Sequence, residues 1–199
     1  FYYIFSDGIR IMIPENTRDG LLRICSIDKE GIPIRENYTV IENGIPISAA
    51  HNSNSIYFSN IYHLIIDRFL DANKENNFIS EENSIENMLK FHGGDFGGIS
   101  RKINKGYFNN LGIKNILLSP INTNLETTLR YIDPPYRKKM SFDGQSPISS
   151  NSIDPHFGTD EEFANLVYDG HSNNLGIYLS FIGSHVHISH PYCEEKLIL

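Results

Sequence analysis

IYHLIIDRF, residues Ile61 to Phe69, is a continuous apolar run that ends on charge. Its apolar residues do not alternate with polar ones, so it reads as a strand covered on both faces, the habit of a parallel sheet flanked by helices. The next segment has a different period. In GGISRKINKGYFNNLG, residues 97–112, the apolar positions Ile99, Ile103, Tyr107 and Phe108 fall on one helical face, and Gly112 supplies the stop. IKNILLSP, residues 113–120, is a second buried strand. TDEEFANLVYDGHSNNLG, residues 159–176, is a second helix, with Thr159 as N-cap, acids in the first turn, and an apolar face of Phe163, Leu166 and Val167. GIYLSFI, residues 176–182, is a third strand. Strands alternating with helices of this length predict parallel β/α units and an α/β fold. A three-stranded parallel sheet keeps open edges and apolar faces, so a partner or a further chain segment is expected to complete it.

Upstream the pattern is different. IRIMI, LLRICSI, YTVI and IPISA are short β-branched runs separated by PENTRDG, DKEG and ENG, which carry turn chemistry. Residues 1–50 therefore form a small antiparallel β-module, and residues 51–199 the β/α domain, with AAHNSNS as the linker. The net charge of −7 argues against nucleic acid or an anionic membrane as a general partner. No apolar run approaches the roughly 20 residues of a membrane span. No signal peptide is visible ahead of FYYIFSDG, so a soluble protein of undetermined compartment is expected. Two cysteines, Cys25 and Cys193, are too few for a disulfide framework.

Read together, IYHLIIDRF, FHGGDFGGI, LGIKNILLSPI, IDPHFGT and LGIYLSFIGSH resemble the opening part of the alpha-amylase family of glycoside hydrolases, family 13. In that family a first barrel strand ends in a DRF-type motif and an HGGD-type segment opens the first helix. A VDPxFGT-type loop precedes the second helix, and a third strand ends in D-x-V-x-N-H. The front module resembles the N-terminal accessory domain of neopullulanase- and cyclomaltodextrinase-like members. The resemblance implies the first three β/α units of a TIM-type (β/α)8 barrel behind a small β-module.

The matching positions are mostly scaffold; those that depart face the sugar site. Ser180 stands where the family's third-strand motif has Asp. Ser184 stands where it has Asn, which in many members ligates calcium, and a hydroxyl is a poor replacement for an amide oxygen around a hard cation. His185 remains, the residue the resemblance assigns to a sugar hydrogen bond. The family's Y-H-G-Y-W loop reads Phe142-Asp143-Gly144-Gln145-Ser146, so the ring that stacks under the sugar has become Gln145, and the Asp beyond it is Ser149. His185, Phe142, Gln145 and Ser180 are thus the residues of a degenerate substrate pocket. The resemblance places the catalytic acids on the fourth, fifth and seventh strands. No pair of acids in this chain takes those roles, for which a retaining enzyme needs two carboxyls about 5–5.5 Å apart.

No metal site is expected. The side chains that would serve one are Asp67, Asp71, Asn73 and Asn77 around DANKENN, for calcium, and His187 and His190 in the H-x-H-x-x-H run that begins at His185, for zinc. DANKENN lacks the Gly of a tight ion loop, so Asp67-Arg68 reads first as a salt-bridged strand end. RYIDPPYRKKM, residues 130–140, is basic in an acidic chain. It reads equally as a solvated loop or as a protein-docking surface through Arg130, Tyr131, Tyr136 and Arg137. The leading expectation is a catalytically inactive alpha-amylase-like protein or fragment with a scaffold or interaction role. Two alternatives stand beside it. One is the N-terminal part of an active alpha-glucan hydrolase with its acids beyond residue 199; the other is a non-catalytic carbohydrate-binding module.

Overall fold

The computed structural model describes residues 2–48, 56–80, 84–127, 129–130 and 138–194. The chain divides into two compact units, Phe1–Ser59 and Asn60–Leu199. The linker expected over residues 49–55 lies outside the described residues.

The first unit is β only in its regular strands. β1 (Tyr2–Phe5) and β2 (Gly8–Ile11) form an antiparallel hairpin. β3 (Gly20–Ile27), β4 (Pro33–Glu42) and β5 (Ile45–Ile47) form a three-stranded antiparallel meander. DKEG turns as its composition predicts, with one Asp28 carboxylate oxygen accepting from the backbone N–H of Glu30 at 2.9 Å and of Ile32 at 2.8 Å. Within the meander only Val40 and Ile41 are deeply buried.

The second unit is α/β. β6 (Ile61–Leu64), β7 (Asn115–Leu118) and β10 (Gly176–Leu179) form one parallel sheet in the order β10-β7-β6. Between them run α1 (Phe96–Asn104) and α2 (Tyr107–Asn110), the short pair β8 (Leu129–Arg130) with β9 (Lys138–Lys139), and α3 (Asp160–Ser172); α4 (Pro191–Glu194) follows β10. Tyr62 and Leu64, Ile116 and Leu118, and Ile177 share one face of the sheet. They pack on Phe96, Ile99 and Ile103 of α1, Phe108 of α2 and Leu166 of α3. The opposite face leaves Ile61 53 % and Tyr178 39 % exposed, so among the described residues only one side of this sheet has a core. Among the described residues no helix is long and apolar enough to cross a membrane.

Two elements differ from the sequence reading. The helix expected over 97–112 breaks at Lys105, because Gly106 adopts φ +69° and begins α2 as a separate helix while Ile103 and Phe108 stay buried. The first strand stops at Leu64, and Ile66–Arg68 curls into a 3₁₀ turn rather than continuing as a strand. That turn lies directly under the start of α1. A Cβ on Gly94 would come 2.0 Å from the Ile66 carbonyl oxygen, and one on Gly98 would come 1.9 Å from that of Leu70. Gly94 and Gly98 of HGGDFGG are therefore required for backbone to meet backbone. α3 begins as predicted: Thr159 Oγ1 accepts from Glu162 N, and the Glu162 carboxylate returns to Thr159 N at 2.8 Å, a complete capping box.

Candidate functional site

Four polar groups converge after the strands of the parallel sheet. The first is Asp67, 2 % exposed, in the turn after β6. Its carboxylate accepts from the backbone N–H of His92 at 2.9 and 3.0 Å and of Gly93 at 3.1 Å, and pairs with Arg68 at 2.5 Å. Burial raises its pKa, and these hydrogen bonds with the Arg68 charge offset only part of that. Arg68 also donates to the Met88 carbonyl at 3.0 Å and lies 3.6 Å from the centre of the Phe142 ring. Lys139 pairs with Asp143 at 2.6 Å beside it.

The second is the loop DANKENN, residues 71–77. Asp95, the N-cap of α1, receives Gly98 N–H at 2.6 Å on one oxygen and Ala72 and Asn73 N–H at 2.9 and 2.7 Å on the other, fixing the loop to the helix start. Asp71 pairs with Lys74 at 2.6 Å and accepts from Asn77 at 2.7 Å, both through Oδ2. Burial pushes its pKa up, but the bonds from Lys74 and Asn77 and the lysine charge outweigh this and hold it below the usual value. Asp71 Oδ1, Asn77 Oδ1 and both amide atoms of Asn76 are sealed from solvent without a hydrogen-bond partner. Buried oxygens left in this state are costly unless something else satisfies them. A carboxylate and two amide oxygens are the hard donors that calcium takes, so Asp71, Asn76 and Asn77 fit that ion.

The third is Asn124, 1 % exposed, after β7. Its side-chain oxygen accepts from Ser141 Oγ at 2.9 Å and Ser146 N at 2.7 Å, its amide donates to Asn122 O at 2.6 Å, and its backbone N–H donates to Asp154 at 3.0 Å. Asp154, also 1 % exposed, turns its other oxygen to His156, 3.0 Å from the backbone nitrogen and 2.5 Å from Nδ1. The His156 ring stacks on Phe91 at 4.9 Å, meets the edge of Phe78 at 5.5 Å, and has Glu126 3.8 Å from Nε2. Burial pulls its pKa down, but the Asp154 bond and the charges of Asp154, Glu126 and Asp67 more than reverse this, so the net shift is upward.

The fourth is the segment after β10. Ser180 donates its N–H to Leu118 O at 2.9 Å. His185 Nε2 lies 3.0 Å from the Gln145 carbonyl and Nδ1 lies 2.9 Å from Ser184 Oγ. A carbonyl only accepts, so Nε2 carries the proton and Nδ1 accepts from Ser184; both ring nitrogens are engaged. His190 is 2 % exposed. Its Nδ1 accepts from Tyr192 N at 3.2 Å, which leaves Nε2–H to donate to Ser150 Oγ at 2.9 Å. That tautomer cannot take a proton from the serine, so the pair is a latch and not a nucleophile with its base. An open groove of about 770 Å³ lies alongside, lined in part by Phe181, Ile182, Ser184, His185 and Cys193.

Several expected residues therefore have other work. Phe142, expected at the sugar face, packs against Ile85, Phe91 and Met140 with the Arg68 guanidinium over its ring. Gln145 and Ser180 meet the rest of the pocket through their backbones. The three histidines of H-x-H-x-x-H do not converge, because His187 Nδ1 accepts from Ser189 N at 3.1 Å while the other two rings serve Gln145 and Ser150. Among the described residues no group of three or more His, Cys, Asp and Glu side chains gathers as a metal site. Asp67 is filled by donors and Asn73 caps Glu75 N at 3.1 Å, which leaves Asp71 and Asn77 of the expected ligands with a free oxygen. Asn76 and Asn124 were not anticipated; the asparagine density of DANKENN was the signal for the first. Tyr131, Tyr136, Arg137 and the Arg130 side chain lie outside the described residues.

The alpha-amylase catalytic domain matches residues 63–197. The chain belongs to the alpha-amylase family of glycoside hydrolases. Among curated proteins, this alpha-amylase-family chain is 31 % identical over 147 residues to a cyclomaltodextrin glucanotransferase of Thermoanaerobacterium thermosulfurigenes, covering 70 % of the chain and 20 % of that protein. It is 29 % identical over 143 residues to an alpha-amylase of Niallia circulans, covering 70 % of the chain and 26 % of that protein. Among solved structures it is similar to an Anoxybacillus alpha-amylase, with a TM-score of 0.56 at 27 % identity, covering 70 % of this chain and 27 % of that one. A gamma-cyclomaltodextrin glucanotransferase from alkalophilic Bacillus clarkii gives the same TM-score at 27 % identity, over 65 % of this chain and 19 % of its own. The chain thus spans about a fifth to a quarter of the length of these relatives.

Proposed function

We propose that residues 60–194 are the opening three β/α units of an alpha-amylase-type barrel, with β6, β7 and β10 as its first strands, and that this chain by itself does not cleave glucan. The observation that carries this is the engagement of His185. The one pocket residue kept from the family pattern spends both ring nitrogens on Gln145 and Ser184. Around it Ser180, Ser184 and Gln145 stand where the resemblance puts Asp, Asn and an aromatic ring. The reading gives the chain a scaffold role, with the uncovered sheet face completed by further strands or a partner. The DANKENN loop is its cation site, with Asp71, Asn76 and Asn77 holding calcium; such an ion would pin the 71–77 loop to the start of α1.

A second reading is favoured by one observation, that the relatives are four to five times longer than the matched part. On this reading the chain is the front of an active alpha-glucan hydrolase. The intact mass of the native polypeptide separates the two, because the second reading requires a mass well above 22.7 kDa; incubating the purified 199-residue polypeptide with maltooligosaccharides tests the first. The scaffold reading expects no reducing ends above the buffer blank, and hydrolysis that scales with protein would overturn it.

A further inference from the structure

His156 stands where a second hydrophobic cluster meets the loops that follow the strands. That cluster, Ile85, Phe91 and Met140 with Phe78, Leu89 and Phe142 packed around them, is separate from the core under the sheet. The His156 ring stacks on Phe91, 4.9 Å between centres and 22° between planes, and meets Phe78 nearly at right angles at 5.5 Å. Both of its nitrogens face carboxylates. Nδ1 is 2.5 Å from Asp154 Oδ1, and a carboxylate only accepts, so Nδ1 carries a proton whether the ring is charged or neutral. The neutral ring then turns a bare lone pair at Nε2 toward Glu126 Oε1, 3.8 Å away. Two acceptors placed so repel; a proton on Nε2 makes the same contact an ion pair. It also sets a cation against the Phe91 ring, which attracts it. The charges that act on the ring come from Asp154 on its own loop, Glu126 after β7 and Asp67 after β6. The cluster side presents the rings of Phe78 and Phe91, which with Lys90 and His92 line a groove of about 280 Å³.

We propose that His156 is a pH-operated clasp: with its ring charged it holds Phe78 and Phe91 against the loops after β6 and β7, and with its ring neutral it lets the second cluster open. Neither a cation at residues 71–77 nor a glucan takes part. What opens is local, the stretch of residues 84–91, which is otherwise tied down by Met140 N–H on the Leu89 carbonyl at 2.9 Å and Arg68 on the Met88 carbonyl at 3.0 Å. Burial opposes the charge on His156, and the Asp154 bond with the three carboxylate charges more than reverses this. The folded ring therefore keeps its proton to a higher pH than an ordinary histidine. The clasp is complete below about pH 6.5 and is released as pH rises through the folded value. His156 is buried and Glu126 exposed, so the lost ion pair is partly screened. With the lost attraction to Phe91, release raises the open population on the order of tenfold.

Hydrogen–deuterium exchange of the 199-residue chain at about pH 6 and about pH 8.5, corrected for the intrinsic pH dependence and with EGTA present throughout, tests this. The amides of Lys90, bonded to the Asn87 carbonyl, and Met140, bonded to that of Leu89, report on the cluster; those of Ile116 and Leu118 in β7 report on the sheet. In wild type the cluster amides should exchange on the order of tenfold faster at the higher pH. Their rates should hardly respond to low urea, because a local opening exposes little surface. His156→Gln should show the faster exchange at both pH values. Glu126→Gln changes an exposed side chain and should fold normally, while lowering the pH at which the His156 ring titrates by NMR. An unchanged midpoint there would overturn the ion pair on which the clasp turns. Equal cluster exchange at the two pH values in wild type, a His156 ring already neutral at about pH 6, or a urea dependence equal to that of the β7 amides would each overturn the proposal.

Discussion

Replacing Asn124 with alanine is expected to cost the second unit about 3 kcal/mol. The side chain is 1 % exposed and makes three hydrogen bonds, accepting from Ser141 Oγ and Ser146 N and donating to Asn122 O. Each is worth roughly 1 kcal/mol net, and a partner stranded without water costs as much or more. Ser141 is fully buried, so its hydroxyl cannot recruit solvent. The backbone bond from Asn124 N to Asp154 survives the substitution. For a domain of this size the loss corresponds to a fall in Tm of about 6–12 °C. Thermal unfolding followed by circular dichroism measures it, with Ser141→Ala as the partner variant, expected to cost about 1 kcal/mol. Because the two side chains share a bond, the double variant should fall short of the sum by roughly 0.5–1 kcal/mol. A loss below about 0.5 kcal/mol for Asn124→Ala would refute its place at the centre of the post-strand loops. Strict additivity with Ser141→Ala would refute the bond between them.

His156 gives a pH dependence of definite sign. Its folded pKa lies above the ordinary value, so its contribution is complete below about pH 6.5 and is lost as pH rises through the folded value. Wild-type Tm should therefore fall over that window relative to His156→Gln; parallel profiles for the two proteins would remove the histidine from the account. Gly98→Ala places a Cβ on the Leu70 carbonyl and should cost at least about 3 kcal/mol in urea unfolding. A near-neutral result would mean that α1 and the 66–70 turn are not in backbone contact.

The alternation of strand and helix was legible because it rests on periodicity. The run at 61–64, the Ile99–Ile103 face and the Thr159 cap each declare themselves in neighbouring residues. What escaped depends on groups distant in sequence. The apolar spacing through Tyr107 and Phe108 suits an unbroken helix, and only the packing of α2 shows that Gly106 is a hinge in the chain path. Ile65 and Ile66 extend the apolar run, yet Ile66 turns into the core beneath α1. The hairpin strand β1 was not distinguished from the opening residues, since it has no turn before it to mark its start. At the site, an asparagine between Thr123 and Leu125 reads as loop polarity. Its burial follows from Ser141, Ser146 and Asp154, which lie 17, 22 and 30 residues away. The lack of glycine in DANKENN argued against an ion loop, but Gly93, with φ +85°, comes from outside that segment to pack against Asn77.

The central claim is that the inherited sugar-facing residues are committed to one another, and glucan binding tests it most directly. Calorimetric titration of the purified chain with maltoheptaose, up to millimolar ligand, should give no saturable heat, and His185→Ala should leave that result unchanged. Saturable one-to-one binding that disappears in His185→Ala would contradict the account and restore His185 as a working sugar ligand.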